Sequence, residues 1–92
     1  MTGDPALGEL RERIAAIDRA ILDAVNERLR IVERIRAHKA EHGLDFLDPE
    51  RERWLHEHLA AANAGPLSEE GLRELLAEIL DLTKREVAGG EG

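Results

Sequence analysis

Ninety-two residues with a formal net charge of −7 allow one small domain and argue against a nucleic-acid partner, which would call for a basic face. No cysteine is present, so disulfides, thiolate metal sites and thiol nucleophiles are excluded. No apolar run reaches transmembrane length and no basic-then-apolar leader opens the chain, so the expectation is a cytoplasmic protein without membrane contact.

The first predicted helix runs from about Pro5 to Glu41. Asp4 is placed to cap it and Pro5 to occupy its first position. Its apolar stripe is Leu10, Ile14, Ile17, Ile21, Val25, Val32 and Ile35. Gly43 suits its stop, and His38, Lys39 and His42 suit the negative end of its dipole. Asp48 followed by Pro49 opens a second helix that extends to about Asn63, with Leu55 and Leu59 as its inward row. A turn, Asn63-Ala64-Gly65-Pro66, follows. Ser68 then caps a third helix over about residues 69–87, with Leu72, Leu75, Leu76, Ile79, Thr83 and Val87 inward and a fraying tail over 88–92. Neither strand alternation nor an internal repeat appears. The expected fold is all-α, one domain over residues 1–92, with three helices and a very long first one.

Length adds a constraint. A helix of some 36 residues is about 54 Å long. A compact globule of this size has a diameter of roughly 32 Å. The residues that follow the first helix cannot cover it. The stripe from Leu7 to Ile21 is spaced 3-4-3-4 like a coiled-coil seam. An intertwined antiparallel homodimer is the expected solution.

Two long cations interrupt the apolar stripe. Arg28 stands eighteen positions after Leu10, about five helical turns, and so falls on the centre line of the stripe. Lys39 follows roughly 20° off that line and about 16 Å further along. Cations on such a face need an anion to meet them. Acids of a neighbouring helix would serve, and so would a small anionic ligand. Arg11 lies about 25 Å from Arg28 along the axis and cannot join it within one chain. In an antiparallel dimer, Arg11 of the partner subunit would point toward Arg28 and Lys39. The second helix adds Arg51 and Glu52 on either side of Leu55, with Asp48 at its mouth, and Thr83 puts a hydroxyl into the third helix's inward row. His38 and His42 are one turn apart but lack a third metal ligand. The ring directions of His56 and His58 diverge by about 160°, so both read as surface residues. Metal ligands are expected nowhere.

These elements together resemble the all-helical class of chorismate mutases. The resemblance is carried by Leu10-Arg11 through Ile17-Asp18, by Asn26-Glu27-Arg28, by Lys39 and by Asp48-Pro49-Glu50-Arg51-Glu52, and it extends from about Leu7 to about Val87. It implies an isomerase of aromatic amino-acid biosynthesis that converts chorismate, a dianion, to prephenate by a pericyclic rearrangement with no cofactor. It also implies active sites shared between the subunits of a homodimer. In the family's pattern Lys39, Arg28 and Glu52 are catalytic, and the substrate is held by Arg11, Arg28, Lys39, Asp48, Arg51, Glu52 and Thr83. Arg28 and the partner's Arg11 would clamp carboxylates, Lys39 would donate to the ether oxygen, Glu52 with the backbone near Asp48 would take the ring hydroxyl, and Arg51 and Thr83 would lie toward the ring carboxylate. The second half of the chain is similar to mutase domains that work with, or are fused to, the first enzyme of the shikimate pathway, which makes that enzyme a candidate partner.

One position departs from the pattern. The family usually carries Gln or Glu four residues after the third-helix hydroxyl, and Val87 stands there; Glu86 points about 100° away. Relatives on the same scaffold, isochorismate pyruvate lyase and aminodeoxychorismate mutase, use similar cations. A helical dimerisation or regulatory module without catalysis would explain the stripe but gives Arg28 and Lys39 no task.

Overall fold

The computed structural model describes residues 3–89. They form three helices, α1 (Pro5–Glu41), α2 (Pro49–Ala62) and α3 (Glu69–Gly89), with no strand among them. The chain divides into two compact units, Met1–Ile31 and Val32–Gly92. The first holds the N-terminal part of α1, and the second holds the end of α1 with α2 and α3.

In the first unit the start of α1 is set by Asp4, whose Oδ1 accepts the Ala6 and Leu7 amides at 3.0 and 3.2 Å. Pro5 occupies the first helical position, where its missing N–H costs nothing. The apolar stripe forms as expected but is uncovered: Leu10, Ile14, Ile17 and Ile21 are each more than half exposed.

In the second unit α1 ends in a Schellman turn. Gly43 takes φ +66°, the Leu44 amide returns to the Lys39 carbonyl at 2.8 Å, and the Gly43 amide reaches the Ala40 carbonyl at 3.5 Å. The segment then crosses to α2, where Asp48 Oδ1 accepts the Arg51 amide at 3.1 Å. After α2 an Asx turn forms, with Asn63 Oδ1 accepting the Gly65 amide and the Asn63 side-chain amide donating to the Leu67 carbonyl. Ser68 Oγ caps α3 by accepting the Gly71 amide at 2.9 Å. Gly71 fits closely there, because a Cβ at that position would lie 2.8 Å from Leu67 Cδ1.

Helices α2 and α3 pack on each other. The α2 residues turned inward are Glu52, Leu55, His56, Leu59 and Ala60, followed by the C-cap Asn63, all half-buried at a helical period. The facing row of α3 is Leu72, Leu76, Thr83 and Val87, all buried. Two readings of the sequence need correction here. Leu75 is 48% exposed, lying about 60° from the line of Leu72. His56 is half-buried rather than a surface residue, because it sits four positions after Glu52 and four before Ala60 on the inward row. α3 also continues to Gly89, two residues past the expected end, since Ala88 is a strong helix former. The rest of the expected frayed tail, residues 90–92, lies outside the described residues.

The Schellman turn generates a stability prediction. No atom lies within 4 Å of a Cβ built on Gly43, so Gly43→Ala meets only the cost of a left-handed backbone. It should lose about 1–2 kcal/mol in urea unfolding, with Gly43→Asn losing less. Equal stability of Gly43→Ala and the parent would contradict this account of the turn.

Candidate active site

The turn that ends α1 also anchors Lys39. Its carbonyl accepts the Leu44 amide, and its side chain folds over the connecting segment so that Nζ donates to the Phe46 carbonyl at 3.3 Å. The residue is half-buried. A long ammonium side chain at a helix end would otherwise range through solvent. Here both its backbone and its head group are tied to residues 43–48, and one of three donors is used.

At the mouth of α2 the backbone also sets the geometry. Asp48 uses its carboxylate on the Arg51 amide and its carbonyl on the Glu52 amide, at 3.1 Å each. Its side chain therefore acts as a helix cap in this structure. Glu52 is turned inward and half-buried, and its Oε2 lies 3.3 Å from Lys84 Nζ on α3. Arg51 takes a different direction. Its guanidinium lies over the Trp54 ring, 4.0 Å from the centroid, and Trp54 stacks on His58 at 4.7 Å. Such an exposed cation–π contact is worth about 0.5–1 kcal/mol. A charge-assisted hydrogen bond to a carboxylate is worth about 1.5–3 kcal/mol. An anionic ligand would therefore outcompete the ring for Arg51.

Thr83 is 8% exposed, and its hydroxyl donates to the Ile79 carbonyl of its own helix at 2.7 Å. Val87, one turn on, is 3% exposed and belongs to the core. The register of α3 thus matches the one expected from its stripe, with Thr83 and Val87 both turned inward. Glu86 is exposed.

Arg11 and Arg28 belong to the first unit. Arg28 is half-buried on α1. Arg11 is exposed and, with Gly3, Asp4, Leu7 and Gly8, lines an open hollow of about 390 Å³ at the beginning of the helix. They are too far apart along α1 for one chain to bring them together. Lys39, Asp48, Arg51, Glu52 and Thr83 belong to the second unit, where α2 and α3 pack together and Lys39 is held by the segment that follows α1.

Two residues escaped the sequence reading. Lys84 adjoins Thr83 and pairs with Glu52; its signal was a cation flanking an inward row, which is common on any surface helix. His56 carries a buried Nε2 with no hydrogen-bond partner among the described residues. His38 and His42 stack on each other at 4.2 Å, and His42 Nδ1 lies 2.8 Å from the His38 carbonyl. No group of three or more His, Cys, Asp or Glu side chains among the described residues is arranged to hold a metal ion. No described helix is long and apolar enough to cross a membrane.

Comparison with known proteins gives these residues a family. Residues 10–87 match the family model for chorismate mutase type II. The chain is 38% identical over 80 residues to a bifunctional chorismate mutase/prephenate dehydratase of Stutzerimonas stutzeri, covering 80% of this chain and 22% of that protein. It is 34% identical over 85 residues to the protein of the same description from Pseudomonas aeruginosa, covering 87% of this chain and 23% of that protein. The chain thus spans less than a quarter of the length of these curated relatives. Among solved structures, two forms of a chorismate mutase from Thermus thermophilus superpose with TM-scores of 0.82 and 0.81 at 35% identity. Both cover 85% of this chain, and they are themselves covered to 98% and 89%. With a family match that reaches all three helices, and every expected polar residue of the site inside it, the chain belongs to the type II chorismate mutases.

Proposed function

We propose that this chain is a cytoplasmic homodimer that converts chorismate to prephenate in sites built across its two subunits. The observation that carries the reading is Lys39: a half-buried cation tied down by the turn after α1, within a match to a family that acts on a dianion. In this reaction the ether C–O bond breaks as a C–C bond forms within one molecule. No proton, hydride or nucleophile has to be supplied. The protein's task is to hold the folded conformer and to stabilise negative charge growing on the ether oxygen. Even a millionfold acceleration asks roughly 8 kcal/mol of those two effects.

In this reading Arg28 and the partner's Arg11 clamp the carboxylates, where a guanidinium suits bidentate contact. Lys39 donates to the ether oxygen. Glu52 accepts the ring hydroxyl beside the Asp48 backbone, and Arg51 leaves Trp54 for the ring carboxylate. Thr83 joins it by turning its hydroxyl proton away from Ile79. The dimer is supported by the uncovered stripe of α1, by the helix length that a single chain cannot wrap, and by the distance between Arg11 and Arg28. Val87 puts no donor opposite Lys39, so the developing charge rests chiefly on the ammonium. The shikimate-pathway enzyme expected as a partner stays within this proposal, supported only by the likeness of the chain's second half.

Turnover should appear as loss of the near-ultraviolet absorbance of chorismate with formation of prephenate. Lys39→Ala and Arg28→Ala should each lower kcat/KM by about a hundredfold or more, with the helical circular-dichroism spectrum retained. Parental activity in Lys39→Ala would remove its assigned role. Mixing Arg11→Ala with Arg28→Ala chains should restore one intact site in every heterodimer, about a quarter of all sites at statistical exchange. Two inactive variants that stay inactive after subunit exchange would rule out shared sites.

A further inference from the structure

The ion pair between Glu52 and Lys84 carries a consequence for which ring substituent the site accepts. Glu52 projects from the inward row of α2, and Lys84 reaches it from α3 at 3.3 Å, one residue beyond the buried Thr83. Both side chains keep partial solvent contact, 35% for Glu52 and 45% for Lys84, so the pair is neither sealed in the core nor remote on the surface. It joins two helices, whereas the ion pairs of Arg30, Arg36 and Arg85 lie three or four residues apart along a single helix.

We propose that Lys84 is a specificity-determining positioning residue, which neutralises Glu52 so that the site takes a hydroxyl at the ring carbon and refuses an ammonium. The proposal rests on the reading of Glu52 as the group that meets this substituent. A carboxylate with no counter-charge attracts a cation more strongly than a neutral donor. An amino group on a ring of this kind is an ordinary aliphatic amine and is protonated near neutral pH. An unpaired Glu52 would therefore favour aminodeoxychorismate over chorismate. With Lys84 Nζ on Oε2, the carboxylate charge is already met. Oε1 still accepts a hydrogen bond from a hydroxyl. An ammonium in the same place would sit within a few ångströms of a second cation, where like charges in a partly desolvated site repel strongly. Val87 and Thr83 on the same helix carry no charge to offset that repulsion.

The test is a competition in which the full chain is given chorismate and aminodeoxychorismate together and the loss of each is followed by chromatography. The ratio of the two kcat/KM values is the readout. The parent should prefer chorismate. Lys84→Met should lower the chorismate-to-amino ratio tenfold or more, mainly by improving the amino substrate, and Lys84→Arg should keep the parental ratio. Lys84→Gln, which keeps a polar side chain of similar reach, should behave as Lys84→Met does and stands in for it should the Met variant fold poorly. A ratio unchanged in the neutral variants, or equal losses on both substrates, would overturn the proposal and leave Lys84 a structural link between helices. A parent that prefers the amino compound would overturn it as well. Should neither compound be consumed, the mutase reading fails, and the ratio of dissociation constants from calorimetry, in parent and variants, decides the discrimination by the same criteria.

Discussion

No residue of α1 is buried by its own chain, although it is the longest helix and carries the most regular apolar stripe. Leu10, Ile14, Ile17 and Ile21 are 52%, 57%, 55% and 56% exposed. Fully burying one such side chain is worth about 1.5–3 kcal/mol, so each leaves on the order of 1 kcal/mol unrealised. A 92-residue chain has few other sources of stability. The buried positions among the described residues are Leu72, Leu76, Thr83 and Val87, all on α3. In the proposed dimer a second copy covers the stripe, because its own first helix has the same length and period. The same pairing would serve the proposed chemistry. Arg11 and Arg28 stand too far apart along one helix to share a ligand, and antiparallel pairing is the simplest symmetric way to bring one beside the other. In the proposed dimer the surface that supplies stability and the surface that completes the site are continuous.

The second unit shows how ordinary helix-end chemistry places the remaining residues of the proposed site. Backbone groups at helix ends must find partners, and here the partners fix side chains proposed for the site. The Schellman turn at Gly43 satisfies the Lys39 and Ala40 carbonyls and swings residues 44–48 back, so that the Phe46 carbonyl meets Lys39 Nζ. Asp48 caps α2, which sets the rotation of the helix and so the direction of Glu52. Neither feature is specific to catalysis. A charged group held by the backbone loses less freedom when a ligand arrives, which is the part of preorganisation that this unit would supply to the proposed site.

The signals that were legible in the sequence were local ones. Asp4, Gly43, Asp48 and Ser68 mark helix ends because each interaction spans only a few residues, and all four act in the structure as their positions imply. The inward row of α3 could be read from its period, apart from Leu75, which lies on the margin of the stripe. What escaped were directions set between elements. Arg51 turns outward to Trp54 through a rotamer choice that spacing does not encode. His56 is drawn inward because α2 rotates to put Glu52, Leu55 and Leu59 against α3, and a ring one position after Leu55 follows them. The Glu52–Lys84 pair depends on the register of α2 against α3, which neither helix's period reports alone.

In the proposed site the third helix trades a donor for an apolar core residue. A donor at position 87 would, in the proposed site, oppose Lys39 across the ether oxygen, and the loss of one such donor commonly costs about 2.7–4 kcal/mol of transition-state stabilisation. Val87 instead is 3% exposed, and its burial contributes on the order of 1.5–3 kcal/mol to a chain with a very small core. The two amounts are of similar size but act on different quantities, folding in one case and rate in the other. Polar function on α3 is left to Thr83, whose hydroxyl is committed to the helix backbone in this structure, and to Lys84, whose charge is engaged by Glu52. In the proposed site, rate therefore depends on the cations of α1, and α3 contributes stability and a choice between substrates.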